Sequence, residues 1–144
     1  MADEHVHWEL ERSIPSDLTE GRQVAEEVLG RLEQHGWDEH DRYAVRLAIE
    51  EALVNAVIHG NQCDEHKQVG FRCRLSNKGV WLQITDEGPG FDPDSLPDPT
   101  TEGRLECPGG RGVMLMRHFM SSVEFADHGR CVTMEKRRDS DNAL

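Results

Sequence analysis

An α+β fold, a two-layer sandwich with helices on one face of a mainly antiparallel sheet, is what this sequence predicts. Three observations lead there. Segments of period two and period 3.6 follow the order strand, two helices, two strands, long loop, helix, two strands. The alternating runs at residues 67–76 and 79–85 flank the turn Asn77-Lys78-Gly79, the mark of an antiparallel hairpin. The helical segments carry apolar stripes that need a second layer to cover them.

Taken in order, residues 5–12 alternate polar and apolar, which predicts a first strand with Val6, Trp8 and Leu10 inward. Ser16 or Asp17 is placed to cap a helix that runs to about His35, with Val24, Ala25, Val28, Leu29 and Leu32 on one stripe and Gly36 as its stop. A central helix begins near Asp38 or Asp41 and ends at Gly60-Asn61, since residues 41–59 contain neither Gly nor Pro. The hairpin comes next. From Asp86 to Gly110 the composition turns to Gly, Pro, acids and threonines, a long loop in place of a domain linker. A helix from about Gly112 to Ser121 presents Val113, Leu115, Met116 and Phe119. Residues 123–125 and 131–134 close the sheet, and residues 137–144 read as a disordered polar tail.

The chain of 144 residues fits one domain, and its net charge of −12 argues against direct nucleic-acid binding by phosphate neutralisation. No apolar run approaches a membrane span, and the first residues lack a basic-then-apolar leader, so the cytoplasm is the expected compartment. Cys63, Cys73, Cys107 and Cys131 are widely spaced with no C-x-x-C pair, which favours free thiols. No histidine cluster repeats a zinc-ligand spacing.

The central helix carries two polar stripes. At about 100° per residue, Arg42, Arg46 and Glu50 form one, and Glu51, Asn55 and His59 form another on the opposite side. A surface helix needs only one polar face. The second stripe therefore faces solvent, other protein groups or a polar ligand, for which Ala44, Ala48 and Ala52 leave room. In the strand after the hairpin turn, Val80, Leu82 and Ile84 share one face, and Asp86 has the same parity. A carboxylate at the edge of a buried face needs a donor: the exocyclic amine of a purine, a helix N-terminus or an Arg. Gly88-Pro89-Gly90 follows, allowing close backbone approach. Gly109-Gly110-Arg111-Gly112 opens the third helix, either as a hinge or as a set of converging N–H groups for an anion, with Arg111 and Arg104 as candidate cations.

Together, E-x-x-x-N on a helix, D-x-G-x-G after a strand and a Gly-rich helix start after a long loop resemble the ATP-binding (Bergerat) fold of the GHKL group: histidine kinases, gyrase-type topoisomerases and heat-shock chaperones. The resemblance covers about residues 41–136. The runs Glu51-Ala52-Leu53-Val54-Asn55-Ala56-Val57-Ile58-His59-Gly60 and Gly110-Arg111-Gly112-Val113-Met114-Leu115-Met116 look most like the anti-sigma factor serine/threonine-protein kinases of bacterial partner switching.

That resemblance implies ATP and Mg²⁺ as ligands. Asn55 would hold Mg²⁺, Glu51 would be the general base, and Asp86 would accept from the adenine amine with Gly88 and Gly90 giving it access. Gly110, Arg111, Gly112 and Val113 would hold the phosphates beneath a lid formed by residues 92–108. The implied partners are an anti-anti-sigma STAS-domain protein, which would be phosphorylated, and a sigma factor, which would be sequestered; a homodimer is left open. The alternative is a nucleotide-responsive binding switch without phosphoryl transfer. The chain departs from the family at Gly129-Arg130-Cys131-Val132, where Gly-Thr is usual near the adenine, and at Glu106-Cys107-Pro108, where a polar or basic approach to the glycines is expected.

Overall fold

The structure, a computed structural model, describes residues 5–90 and 110–138, with the backbone alone at residues 110 and 111. The expected lid at 92–108, Arg104, Gly109, the Glu106-Cys107-Pro108 stretch and the last six residues of the expected tail lie outside the described residues. The elements are β1 (Val6–Pro15), α1 (Leu18–Gln34), α2 (Glu39–Val54) running on into a π-helical turn (Asn55–Gly60), β2 (Gln68–Ser76), β3 (Gly79–Thr85), α3 (Gly110–Phe119), β4 (Ser122–Ala126) and β5 (Cys131–Arg137).

The five strands form one sheet in the order β1-β2-β3-β5-β4, and every neighbouring pair is antiparallel. Period-two alternation does the sorting. Leu10, Cys73, Leu82, Met134 and Val123 stand in one row across all five strands. They share a hydrophobic cluster with Val28 and Leu32 of α1, Ile49 and Leu53 of α2, and Met116 of α3. The helices thus cover one face of the sheet, as the sequence predicts.

Local chemistry sets the helix ends. The Asp17 carboxylate accepts from the Thr19 N–H at 2.7 Å and caps α1, and the Asp38 carboxylate accepts from the Asp41 N–H at 2.7 Å and caps α2. Such caps contribute about 1 kcal/mol each. Gly36 follows α1 with φ +81°. The stripe of Arg42, Arg46 and Glu50 is not a bare solvent face. Arg46 pairs with Glu26 of α1, Glu50 with Arg22 of α1 at 2.7 Å, and Arg42 Nε donates to the Trp37 carbonyl at 3.2 Å.

Four details differ from the sequence reading. Val6 is exposed, because the β1–β2 register shifts between Val6 and Trp8 and breaks the alternation there. The first strand runs on to Pro15, which adds Ile14 to the core. The first two residues of the expected tail are bound to the sheet: Arg137 ends β5, and the Arg138 N–H donates to the Lys78 carbonyl at 3.0 Å. The last turn of the central helix is π-helical, a form that leaves the α-helical bonding ladder and recurs at functional sites. Among the described residues Cys63, Cys73 and Cys131 are free thiols, and burial pushes the Cys73 thiol up to about 12. No helix of the described residues is long and apolar enough to cross a membrane.

Candidate functional site

The end of α2 and the end of β3 meet on the helix side of the sheet. Glu51 and Asn55 lie one helical turn apart and are both half-buried. Their neighbour is the start of α3: a Cβ built on Gly112 would sit 3.2 Å from Glu51 Oε1 and 3.3 Å from both terminal atoms of the Asn55 carboxamide. A side chain there would be crowded, so Glu51 or Asn55 would have to shift by a few tenths of an ångström to admit it. The Asn55 amide nitrogen is buried and has no hydrogen-bond partner among the described residues. A buried polar atom left in that state is costly unless a ligand serves it. His59, expected on the same stripe, is exposed and outside this contact, as is Ile58.

At the other end of the site Asp86 is buried. Its Oδ1 accepts from the Gly88 N–H at 2.8 Å, and its own N–H donates to the Arg130 carbonyl at 2.8 Å. Among the described residues Oδ2 has no hydrogen bond. Burial raises the Asp86 pKa above its ordinary value, and the Gly88 N–H and the Arg130 charge oppose that rise. Gly60, the last residue of the π turn, lies against this carboxylate, and a Cβ on Gly88 would fall 1.9 Å from the Gly60 carbonyl oxygen. The helix end and the strand end therefore dock backbone to backbone.

Asn61 fixes that docking, and sequence reasoning gave it no role beyond ending a helix. It is fully buried. Its amide nitrogen donates to Ser16 Oγ at 2.7 Å and to the Gln68 carbonyl at 3.0 Å, and its Oδ1 accepts from the Glu87 N–H at 2.7 Å. One side chain thus joins the β1–α1 connection, the start of β2 and the loop after Asp86. The signal in the sequence was an amide directly after the helix-ending glycine, which alone does not say what it bonds.

Between these two ends runs a narrow crevice walled by Ala52, Asn55, Ile84, Asp86, Phe125 and Val132. It encloses about 10 Å³, the room of a single water. A purine enters only if the walls part, and Phe125, half-buried on β4, is the large side chain among them. Phe125 was read from sequence only as part of a closing strand. Of the three alanines expected to leave space, Ala52 lines the crevice, while Ala44 and Ala48 are buried outside its lining.

The remaining site residues fall as follows. Gly90 has φ +85° and faces the His128 carbonyl, which a Cβ would meet at 2.3 Å. Gly110 and Arg111 form the first turn of α3. The Val113 side chain is packed in the core, so only its backbone amide is open to a ligand. The two departures from Gly-Thr have defined partners: Arg130 bonds the Gly88 and Pro89 carbonyls, and Cys131 Sγ accepts from the Thr85 hydroxyl at 3.6 Å. Residues of this kind fit a nucleotide with a hard cation: an acceptor for an amine, a neutral carboxamide oxygen for a metal, and a helix N-terminus for phosphates. Among the described residues no group of three or more His, Cys, Asp and Glu is arranged to hold a metal by itself.

Residues 13–136 match the model of the histidine kinase-like ATPase domain family. The serine/threonine-protein kinase BtrW of Bordetella bronchiseptica is 32% identical over 91 residues, covering 62% of this chain and 64% of that protein, so the match spans less than two thirds of that relative. An anti-sigma F factor of Clostridium perfringens is 30% identical over 102 residues, covering 67% of this chain and 72% of that protein. An anti-sigma F factor of Oceanobacillus iheyensis is 32% identical over 99 residues, covering 65% and 67%. Among solved structures, the RsbU and RsbW domains of a Mycobacterium tuberculosis protein align with a TM-score of 0.61 and 16% identity, over 91% of this chain and 31% of that one. That last likeness speaks for the fold.

Proposed function

The chain belongs to the histidine kinase-like ATPase domain family, and on that premise we propose that it is an ATP-dependent serine/threonine-protein kinase and anti-sigma factor. In this reading it phosphorylates an anti-anti-sigma STAS-domain protein and otherwise sequesters a sigma factor. The similarity to a serine/threonine-protein kinase and to anti-sigma F factors supports it. The observation that carries it is the closeness of Glu51 and Asn55 to Gly112 at the start of α3; in this reading they serve as base, metal-binding carboxamide and phosphate-facing helix start.

Bound Mg-ATP supplies the phosphoryl group and the positive charge that offsets it. Asp86 and the docked Gly60–Gly88 backbones hold the purine end by offering an acceptor that suits an amine and repels a carbonyl. Asn55 would hold the cation through a neutral oxygen that adds no charge of its own to the site. The N–H groups of Gly110, Gly112 and Val113, which have no partner within the first turn of α3, would hold the phosphate oxygens. Glu51, one turn before Asn55, takes the proton from the attacking hydroxyl of the protein substrate. Phosphoryl transfer needs such positioning and charge balance more than covalent help.

The deciding experiment incubates the chain with radiolabelled ATP, Mg²⁺ and STAS-domain proteins encoded near its gene. Label on a STAS serine or threonine supports the reading. ATP binding with no transfer to any of them would leave a nucleotide-responsive switch instead.

A further inference from the structure

The turn between β4 and β5 carries backbone strain. Asp127, His128 and Gly129 all have left-handed backbones, with φ of +53°, +57° and +82°. For the two residues with side chains this costs about 1–2 kcal/mol each. The turn leads directly into Arg130, whose guanidinium spends its donors on backbone. Nε donates to the Gly88 carbonyl at 2.6 Å and Nη2 to the Pro89 carbonyl at 3.2 Å, while Nη1 donates to the Asp127 carbonyl at 3.2 Å and to its carboxylate at 3.3 Å. Gly90 closes against the His128 carbonyl, and the Asp86 N–H is bonded to the Arg130 carbonyl. A hairpin some forty residues downstream therefore grips the loop after Asp86 at both of its ends.

We propose that Arg130 is a positioning residue for purine recognition, fixing the Gly88-Pro89 backbone and through it the direction of the Asp86 carboxylate. This rests on the reading of the site as one for adenine nucleotides. The chemistry is that of a rigid fork. A guanidinium spans two adjacent carbonyls and a third one in its own turn, which an ammonium on a flexible stem cannot do. Gly88 matters twice, because its carbonyl receives Arg130 and its N–H is the donor that orients Asp86 Oδ1. With Oδ1 held, Oδ2 is left to accept from a ligand. Arg130 also places positive charge near that carboxylate, as Lys67 does, against the negative charge of Asp127.

The test compares the parent with Arg130→Ala and Arg130→Lys in calorimetric titrations with Mg-ATP and Mg-GTP at neutral pH, alongside carboxyl NMR of Asp86 followed upward in pH from the ordinary carboxylate range. Arg130→Ala should weaken ATP at least tenfold, leave the weak GTP binding unchanged and raise the Asp86 midpoint. Arg130→Lys should bring that midpoint back toward the parental value, because the charge is restored, without recovering the ATP-over-GTP preference. Parental affinity and preference in Arg130→Ala would overturn the proposal. So would a parallel loss of both nucleotides together with a fall in melting temperature, the signature of a purely structural residue. If Arg130→Ala does not fold, the preference of Arg130→Lys decides: a parental ratio overturns the proposal. A parent that binds neither nucleotide removes the adenine reading and the proposal with it, an outcome distinct from all the others because it appears before any substitution.

Discussion

Gly60 and Asp86 are in such close contact that a methyl group on Gly60 would lie 2.6 Å from the carboxylate carbon of Asp86 and 2.7 Å from each of its oxygens. Gly60 does not have a positive φ. Replacing it by alanine therefore tests the contact alone, without backbone strain. Gly60→Ala should lose about 1–3 kcal/mol of stability through overpacking and should lose nucleotide binding because Asp86 must turn away. Urea unfolding and ATP titration on the same preparation would check both. Unchanged ATP affinity would show that Asp86 is not the purine acceptor.

Glu51 and Asn55 should separate by function, although both touch Gly112. Glu51→Ala is expected to bind Mg-ATP nearly as the parent does, since it removes a negative charge from beside the phosphates. Phosphotransfer should fall by about 10² to 10⁴-fold, the usual contribution of a general base. Asn55→Ala should lose the part of ATP affinity that depends on Mg²⁺. Binding with and without EDTA, and transfer rates for all three proteins, would check this pair. Transfer at the parental rate by Glu51→Ala would move the base elsewhere.

Much of this was legible in the sequence, and the reason is locality. Apolar alternation in β2 and β3 and the stripe of α1 are properties of neighbouring residues, so one dimension suffices to read them. Asp86 was legible too, because strand parity carries a side chain's direction two residues past the last core position. What escaped depends on partners far along the chain. Arg130 stands out in sequence only as a departure, and its meaning comes from two carbonyls more than forty residues upstream. Asn61 bonds segments separated from it by 45, 7 and 26 positions. Val6 was misread because a register shift leaves no mark in an alternating pattern.

The pH dependence of stability follows from Asp86. Burial raises its folded pKa above the ordinary 3.8 that the unfolded chain retains. Between those two values the folded protein binds more protons than the unfolded one, so stability falls as pH rises through the window. The cost of ionising Asp86 is absent below 3.8 and complete above the folded value. Asp86→Asn should therefore be at least as stable as the parent at pH 7, with the difference between the two vanishing in acid. It should still bind ATP poorly, since one acceptor oxygen becomes an N–H donor facing an amine. Thermal melts from pH 3 to pH 8, together with ATP titration, would check the two halves separately. A variant that melts well below the parent at pH 7 would contradict the sign.

Asn61→Ala removes a fully buried amide and takes a hydrogen bond from three groups, the Ser16 hydroxyl (which keeps its bond to the Lys67 carbonyl), the Gln68 carbonyl and the Glu87 N–H. Leaving buried groups unserved costs about 1–3 kcal/mol each, so this substitution should be among the most destabilising near the site. Chemical denaturation would show it as a lower midpoint with an unchanged slope. A loss under 0.5 kcal/mol, the scale of an ordinary surface change, would mean that water replaces the amide.

The π-helical turn from Asn55 to Gly60 has a consequence for how this chain can vary in length. In that turn the Asn61 N–H reaches back five residues to the Ala56 carbonyl. It lets the Asn55 carboxamide and the glycine against Asp86 occupy their separate places on one continuous helix. Deleting any one of Ala56, Val57, Ile58 or His59 would restore an ordinary ladder but swing Gly60 around the axis by about 100°, away from Asp86. An inserted residue would swing it the other way. Over these six positions, residue identity has some latitude on the exposed side and residue number has none.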